Sequence, residues 1–169
     1  MRQDAIEELY KLYYNDALLY SLSISGDKQT AEDVVHSAFY KALLTADGVI
    51  DNFKAWLIRV CRNELYTKLK KGKRQQSLDT EQTAQSAALT DEAESAIESI
   101  IRREEYRALH RAMALMKTEE REYLTLFYFE ELTIAEIADV MQKSTTATKV
   151  ALYRARENLK KIFSAIYNK

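Results

Sequence analysis

No proline occurs anywhere in this 169-residue chain, and glycine occurs three times. Proline removes a backbone donor and clashes with the preceding helical turn, and glycine weakens a helix interior. A chain nearly without both can run as long helices with few interruptions. Its apolar residues agree, recurring at three- and four-residue intervals with little of the alternation of a half-buried strand. The pattern implies an all-α protein with room for one domain or two small ones.

Lys and Arg number 25 against 26 Asp and Glu. That balance argues against a nucleic-acid binder only while the chain is taken whole. Residues 1–74 carry 12 cations against 10 anions, residues 75–105 carry 2 against 8, and residues 106–169 carry 11 against 8. The ends are mildly basic and suit phosphate; the acidic middle does not. Cys61 stands alone, which excludes a disulfide framework and a cysteine-based metal site. No apolar run approaches the ~20 residues of a membrane helix. The opening MRQDAIEELY is acidic and amphipathic, unlike a secretory signal, so the expected location is a reducing cytoplasm.

The first helix is expected from about Asp4 to Ile24, with Ile6, Leu9, Tyr10, Tyr13, Ala17, Tyr20 and Ile24 inward. Ser25-Gly26-Asp27 reads as a turn. Thr30 reads as the next N-cap, with Asp33 at N3 and with Ala31, Val34, Val35, Ala38, Phe39, Ala42 and Leu43 inward. Asp33, His36, Ser37 and Tyr40 share the outer face, either a solvated surface or a contact. After a loop over 45–52, a third helix is expected from about Asp51 to Lys71. Phe53, Trp56, Leu57, Val60, Cys61, Leu65 and Leu69 form its packing side. The opposite stripe is Arg59, Arg62, Asn63, Tyr66 and Lys70. Cations there can neutralise phosphates, Asn can hold a base edge, and Tyr can stack on an unpaired base. A basic helix end that merely complements the helix dipole accounts for the last charges, but not for Arg59, Arg62 and Asn63.

Residues 75–92 are polar, without a sustained apolar pattern, and read as a flexible linker between a domain over 1–74 and another over 93–169. A fourth helix is expected from about Asp91 to Met116. Thr118 reads as the cap of a fifth, with Tyr123, Leu124, Leu126, Phe127 and Phe129 inward. Thr133 and Glu136 then form a capping box, ahead of Ile134, Ile137, Ala138 and Met141. Gln142-Lys143-Ser144 breaks the pattern, and a second helix begins near Ser144 or Thr145, with Leu152, Ala155, Leu159 and Ile162 inward. Lys149, Tyr153, Arg154, Arg156 and Lys160 lie on its other side. This is the outline of a helix-turn-helix, whose second helix would present Thr145, Thr146, Thr148 and Lys149 to base edges in a DNA major groove. A helical hairpin with a solvated outer face is the alternative.

In this order the segments resemble the extracytoplasmic-function (ECF) group of bacterial RNA polymerase sigma factors. AEDVVHSAFYKALL (31–44) is similar to the polymerase-clamp helix, and FKAWLIRVCRNELYTKLKK (53–71) to the helix that melts and reads the minus-10 element. EEREYLTLFYFEELTIAEIADVM (119–141) and LYRARENLKK (152–161) resemble the minus-35-reading domain. The resemblance implies a three-helix region 2-like bundle joined to a region 4-like helix-turn-helix domain. It also implies a protein that is not an enzyme and has no cofactor or metal. The implied partners are the β′ clamp and β flap of core polymerase, promoter DNA and, in many members, an anti-sigma factor. By position, Asp33, His36, Ser37 and Tyr40 would meet polymerase. Arg59, Arg62, Asn63, Tyr66 and Lys70 would meet minus-10 DNA, and the 45–52 loop would tune that specificity. Thr145, Thr146, Thr148, Lys149, Tyr153, Arg154 and Arg156 would meet minus-35 DNA. The chain departs from the family pattern at His36-Ser37 (usually Gln-Glu), at Gln142 (usually Gly) followed by Lys143, at Thr148 (usually apolar), at Ala151 (usually basic) and at Lys117 (usually Pro).

Two other readings stay open on the residues alone: a stand-alone helix-turn-helix regulator that never engages polymerase, and a helical interaction protein. Enzyme classes find little support. The chain has no phosphate loop and no zinc signature, and Asp33-Val-Val-His36 is a single, imperfect relative of the paired Glu-x-x-His turns of di-iron bundles.

Overall fold

The computed structural model describes residues 3–45, 50–76 and 104–167. Every regular element among them is helical, and they fall into two compact units. The first unit holds α1 (Gln3–Ser25), α2 (Lys28–Leu44) and α3 (Phe53–Gln76), each packed on the other two.

Gly26 lies in the left-handed region (φ 67°) and closes α1, its N–H donating to the Leu22 carbonyl. Glycine enters that region without a Cβ clash. The next residue, Asp27, is extended and caps α2, accepting from the Thr30 N–H at 3.1 Å and from the Thr30 hydroxyl. Thr30, the expected cap, instead sits at N3: the glycine turn ends earlier, and Asp27 is placed to meet the first turn. The Thr30 bonds hold the Asp27 carboxyl below its ordinary value of 3.8.

The core of this unit joins Ala17, Tyr20 and Ile24 of α1 to Val34, Val35 and Phe39 of α2 and to Leu57, Ile58, Cys61 and Leu65 of α3. Burial pushes the Cys61 thiol up to about 12, so it stays protonated. Leu43 and Leu69, expected inward, are 40% and 39% exposed, whereas Ile58 is fully buried. α3 touches both other helices, so its buried arc is wider than one stripe and ends before Leu69. α3 also runs past its expected end at Lys71, carrying Gly72 in its interior and taking in residues 75 and 76 of the expected linker. The rest of that linker, the first part of the expected fourth helix and loop residues 46–49 lie outside the described residues.

The second unit holds α4 (Glu104–Leu115), α5 (Thr118–Leu124), α6 (Ile134–Met141) and α7 (Thr145–Tyr167). α7 packs on all three others. Met116, Leu124, Leu126, Ile137, Leu152 and Ala155 form the centre. Lys117, rather than Thr118, is the capping residue of α5, with no side-chain bond. α5 continues into one wide π turn, Thr125–Phe129, closed by the Glu130 N–H on the Thr125 carbonyl. The extra residue in that turn rotates the following segment relative to a regular α-helix. Phe129, expected inward, is accordingly 64% exposed.

Candidate nucleic-acid and polymerase interface

The helix-turn-helix is built from three local devices. The Thr133 hydroxyl accepts from the Glu136 N–H and the Glu136 carboxylate accepts from the Thr133 N–H, both at 3.2 Å, so the expected capping box forms in full. At the other end of α6, Gln142 adopts the left-handed conformation (φ 55°, ψ 47°). Its N–H reaches the Asp139 carbonyl, and the Lys143 N–H reaches the Ala138 carbonyl at 2.9 Å. These are the two bonds of a Schellman ending, made here on glutamine instead of glycine. Ser144 then accepts from the Ala147 N–H at 3.0 Å and starts α7.

Thr145, Thr146, Lys149, Tyr153, Arg154 and Arg156 are all exposed on α7. Thr148 is not. It is fully buried, and its hydroxyl donates to the Ser144 carbonyl at 2.8 Å. An inward-facing hydroxyl that is already satisfied can stand at an apolar position, but it cannot meet a base edge, so Thr148 leaves the expected DNA set. Val150 is a further candidate for that face, which the sequence reading passed over. It is 44% exposed and lies four residues after Thr146 and three before Tyr153 on the outer face. Its methyls suit a thymine methyl, and the i, i+4 step from Thr146 was the signal that could have found it.

Arg156, exposed like its neighbours, is also engaged within the chain. Its Nε donates to the Tyr128 hydroxyl at 2.7 Å, and its guanidinium carbon lies 5.0 and 5.5 Å from the ring centres of Phe127 and Tyr128. The cation thus ties α7 to the π turn. Beside this clasp lies an open, mostly apolar groove of about 580 Å³, lined by Leu109, Met113, Phe129 and Phe163 among others, with Arg156 and Lys160 as the cations in its lining.

On α3, Asn63 and Lys70 are exposed and Arg59, Arg62 and Tyr66 half-buried, on one stripe. The Arg62 guanidinium lies 4.5 Å from the Tyr66 ring centre, so one face of that ring is already stacked. On α2, Asp33, His36 and Tyr40 are exposed, while Ser37 is half-buried and donates to Glu64 Oε1 of α3 at 2.9 Å. The same carboxylate oxygen pairs with Lys41. Asp33 accepts from the Gln29 amide at 3.0 Å. Two cationic stripes and one outer face of mixed polarity are thereby displayed. Among the described residues, no group of His, Cys, Asp and Glu could hold a metal ion, and no helix is long and apolar enough to cross a membrane.

The model of sigma-70 region 2 matches residues 9–75, and that of sigma-70 region 4 matches residues 106–159. The ECF RNA polymerase sigma factor SigM of Bacillus subtilis (strain 168) is 31% identical over 166 residues, spanning 97% of this chain and 96% of that protein. The chain belongs to the sigma-70 family, in its ECF group. The RNA polymerase sigma factor YlaC of the same organism is 26% identical over 162 residues, covering 94% of this chain and 92% of that protein. The fold is shared with the sigma factor RpoE in its complex with the anti-sigma factor NepR from Bartonella quintana. That likeness has a TM-score of 0.69 at 20% identity and covers 94% of this chain and 96% of the other. In sigma-70 terms, the greater part of α1–α3 falls in the region 2 match and the greater part of α4–α7 in the region 4 match.

Proposed function

We infer that this chain is an ECF-type sigma factor that joins RNA polymerase core and directs promoter-specific transcription initiation, acting by binding and without catalysis, in the cytoplasm. The observation that carries this is the pairing of a region 2 match and a region 4 match in one chain, with the SigM likeness running almost end to end. A stand-alone helix-turn-helix regulator would account for the second match and leave the first unexplained.

In this reading residues 1–74 form the polymerase-binding and minus-10 domain, residues 93–169 the minus-35 domain, and 75–92 the connection. Asp33, His36, Ser37 and Tyr40 face the β′ clamp. Arg59, Arg62, Asn63, Tyr66 and Lys70 hold the minus-10 element, with Asn63 on an extruded base. Extrusion costs a few kcal/mol of stacking and pairing, offset by the contacts that receive the base. Thr145, Thr146, Lys149, Val150, Tyr153 and Arg154 read the minus-35 element. The groove beside Arg156, mostly apolar with two cations in its lining, suits the β flap. An anti-sigma partner, of the class recorded with RpoE, would cover these same faces.

The test is co-elution of the purified protein with core polymerase, followed by promoter opening. Arg62→Ala with Asn63→Ala is expected to abolish strand opening, read as permanganate reactivity of unpaired thymines, while core binding and helicity persist. Normal opening by that double variant would remove the assigned role of α3.

A further inference from the structure

The outer edge of the first unit carries a layer of stacked rings. Tyr10 and Tyr14 of α1 lie with ring centres 4.6 Å apart and planes 29° apart. His36 of α2 is nearly parallel to Tyr10 (5°, 6.4 Å) and close to parallel with Tyr14 (24°, 5.7 Å). The Tyr10 hydroxyl stands 3.4 Å from His36 Nε2, and Phe39 backs Tyr10 from the core at 5.0 Å. His36 is exposed and Tyr10 is 36% exposed, so the layer opens to solvent and is not an extension of the core. Asp33, one turn before His36, is exposed on the same helix.

The charges around the layer suit an incoming cation. Ring faces carry the negative end of the aromatic quadrupole and attract a cation laid over them. Asp33 adds a carboxylate at the edge. The cation on this face of α2, Lys41, is drawn to Glu64, which Ser37 also orients. Near Tyr14, Lys28 is opposed by Glu32. At positions 36 and 37 themselves α2 has no carboxylate, so attraction for a basic partner comes from the rings and from the carboxylates just before them, Asp33 foremost as the exposed one. A planar guanidinium stacks on rings and pairs with a carboxylate at once, which an ammonium does less well. Nucleic acid is the poorer fit, because each cation named beside the rings has a carboxylate against it: Lys41 pairs with Glu64, and Glu32 acts on Tyr14 against Lys28.

We propose that Tyr10, Tyr14 and His36 form a stacking platform for an arginine side chain of core polymerase, with Asp33 as its ion-pair partner. The proposal rests on the reading that α2 meets polymerase. It explains how a polymerase-facing helix can work with His36-Ser37 in place of an amide and an acid.

The experiment measures the affinity of the full-length protein for core polymerase in Tyr10→Phe, Tyr10→Leu and His36→Leu variants, each with a thermal melt. Leucine keeps apolar bulk and loses the ring face. Each leucine variant is expected to bind about 2- to 30-fold more weakly than wild type, the span of a single cation–π contact. Tyr10→Phe is expected to bind clearly better than Tyr10→Leu. His36 is exposed, so its variant decides the matter even if Tyr10→Leu loosens the contact with Phe39. Leucine variants as tight as wild type would overturn the platform. Leucine variants that weaken promoter DNA binding by the holoenzyme while sparing core binding would overturn it as well, by assigning the face to nucleic acid. Wild type failing to bind core would instead bring down the sigma reading on which the platform stands.

Discussion

Arg156 and Arg154 lie two residues apart on one helix, Arg156 held against Tyr128 and Arg154 exposed, and substituting each in turn tests the separate roles inferred for them. In Tyr128→Phe, one charge-assisted hydrogen bond of 2.7 Å is lost. Both partners are exposed, so solvent screening takes the cost below the usual range for bonds to charged groups, to about 0.5–1 kcal/mol. Arg156→Gln loses that bond and the stacking on Phe127 and Tyr128, about 0.5–1 kcal/mol more at an exposed site. The total, about 1–2 kcal/mol, corresponds to a fall of roughly 4–16 °C in the melting of a unit this size. The double variant should cost less than the sum of the singles, because both remove the same bond. Arg154→Gln should leave the melt unchanged. It should instead flatten the plot of log affinity against log salt by about 0.9, the signature of one lost phosphate contact, when the holoenzyme binds promoter DNA between about 50 and 200 mM salt. If Arg156→Gln melts like wild type and flattens the salt plot, the clasp is incidental and Arg156 faces phosphate after all.

Local geometry sets three further expected outcomes. Thr133→Ala removes the acceptor for the Glu136 N–H and should destabilise the second unit by about 1 kcal/mol in a thermal melt, whereas Thr133→Ser should retain most of the cap. Gly72→Ala should stabilise the end of α3 by about 0.5–1 kcal/mol, because an added Cβ meets nothing within 4 Å and alanine lowers the entropy lost on forming the helix; unchanged helicity and melting would place Gly72 outside a stable helix. Asp27 has a depressed carboxyl, so its contribution is present above the ordinary value of 3.8 and is lost as pH falls below it through the folded value. Asp27→Asn keeps a capping oxygen and should remove that part of the acid sensitivity, seen as a flatter melting temperature against pH below about 4.

The proline-free, helically periodic chain determined most of the secondary structure, because helix formation and its caps are local. The Thr133–Glu136 box, the break at Gln142 and the start of α7 at Ser144 need only residues a few positions apart, and all three were legible. So was the family, since its motifs are ordered along the chain. Cap choice was harder where two candidates stood close together. Thr30 and Asp27 differ in which one meets the α2 turn, and that depends on the left-handed Gly26 before them. Periodicity could not supply the width of each buried arc or the rotation of each helix about its axis. α3 buries Ile58 and exposes Leu69 because two helices press on it from different sides. Phe129 turns outward because a π turn inserts one extra residue of rotation. Thr148 turns inward on a helix that packs against all the others of its unit, its hydroxyl satisfied by the Ser144 carbonyl. The Arg156–Tyr128 clasp and the Tyr10–His36 contact join residues 28 and 26 positions apart, and no spacing rule reaches that far. Local hydrogen bonding is written in the sequence, but which side chains meet across helices is decided only when apolar faces compete for one core.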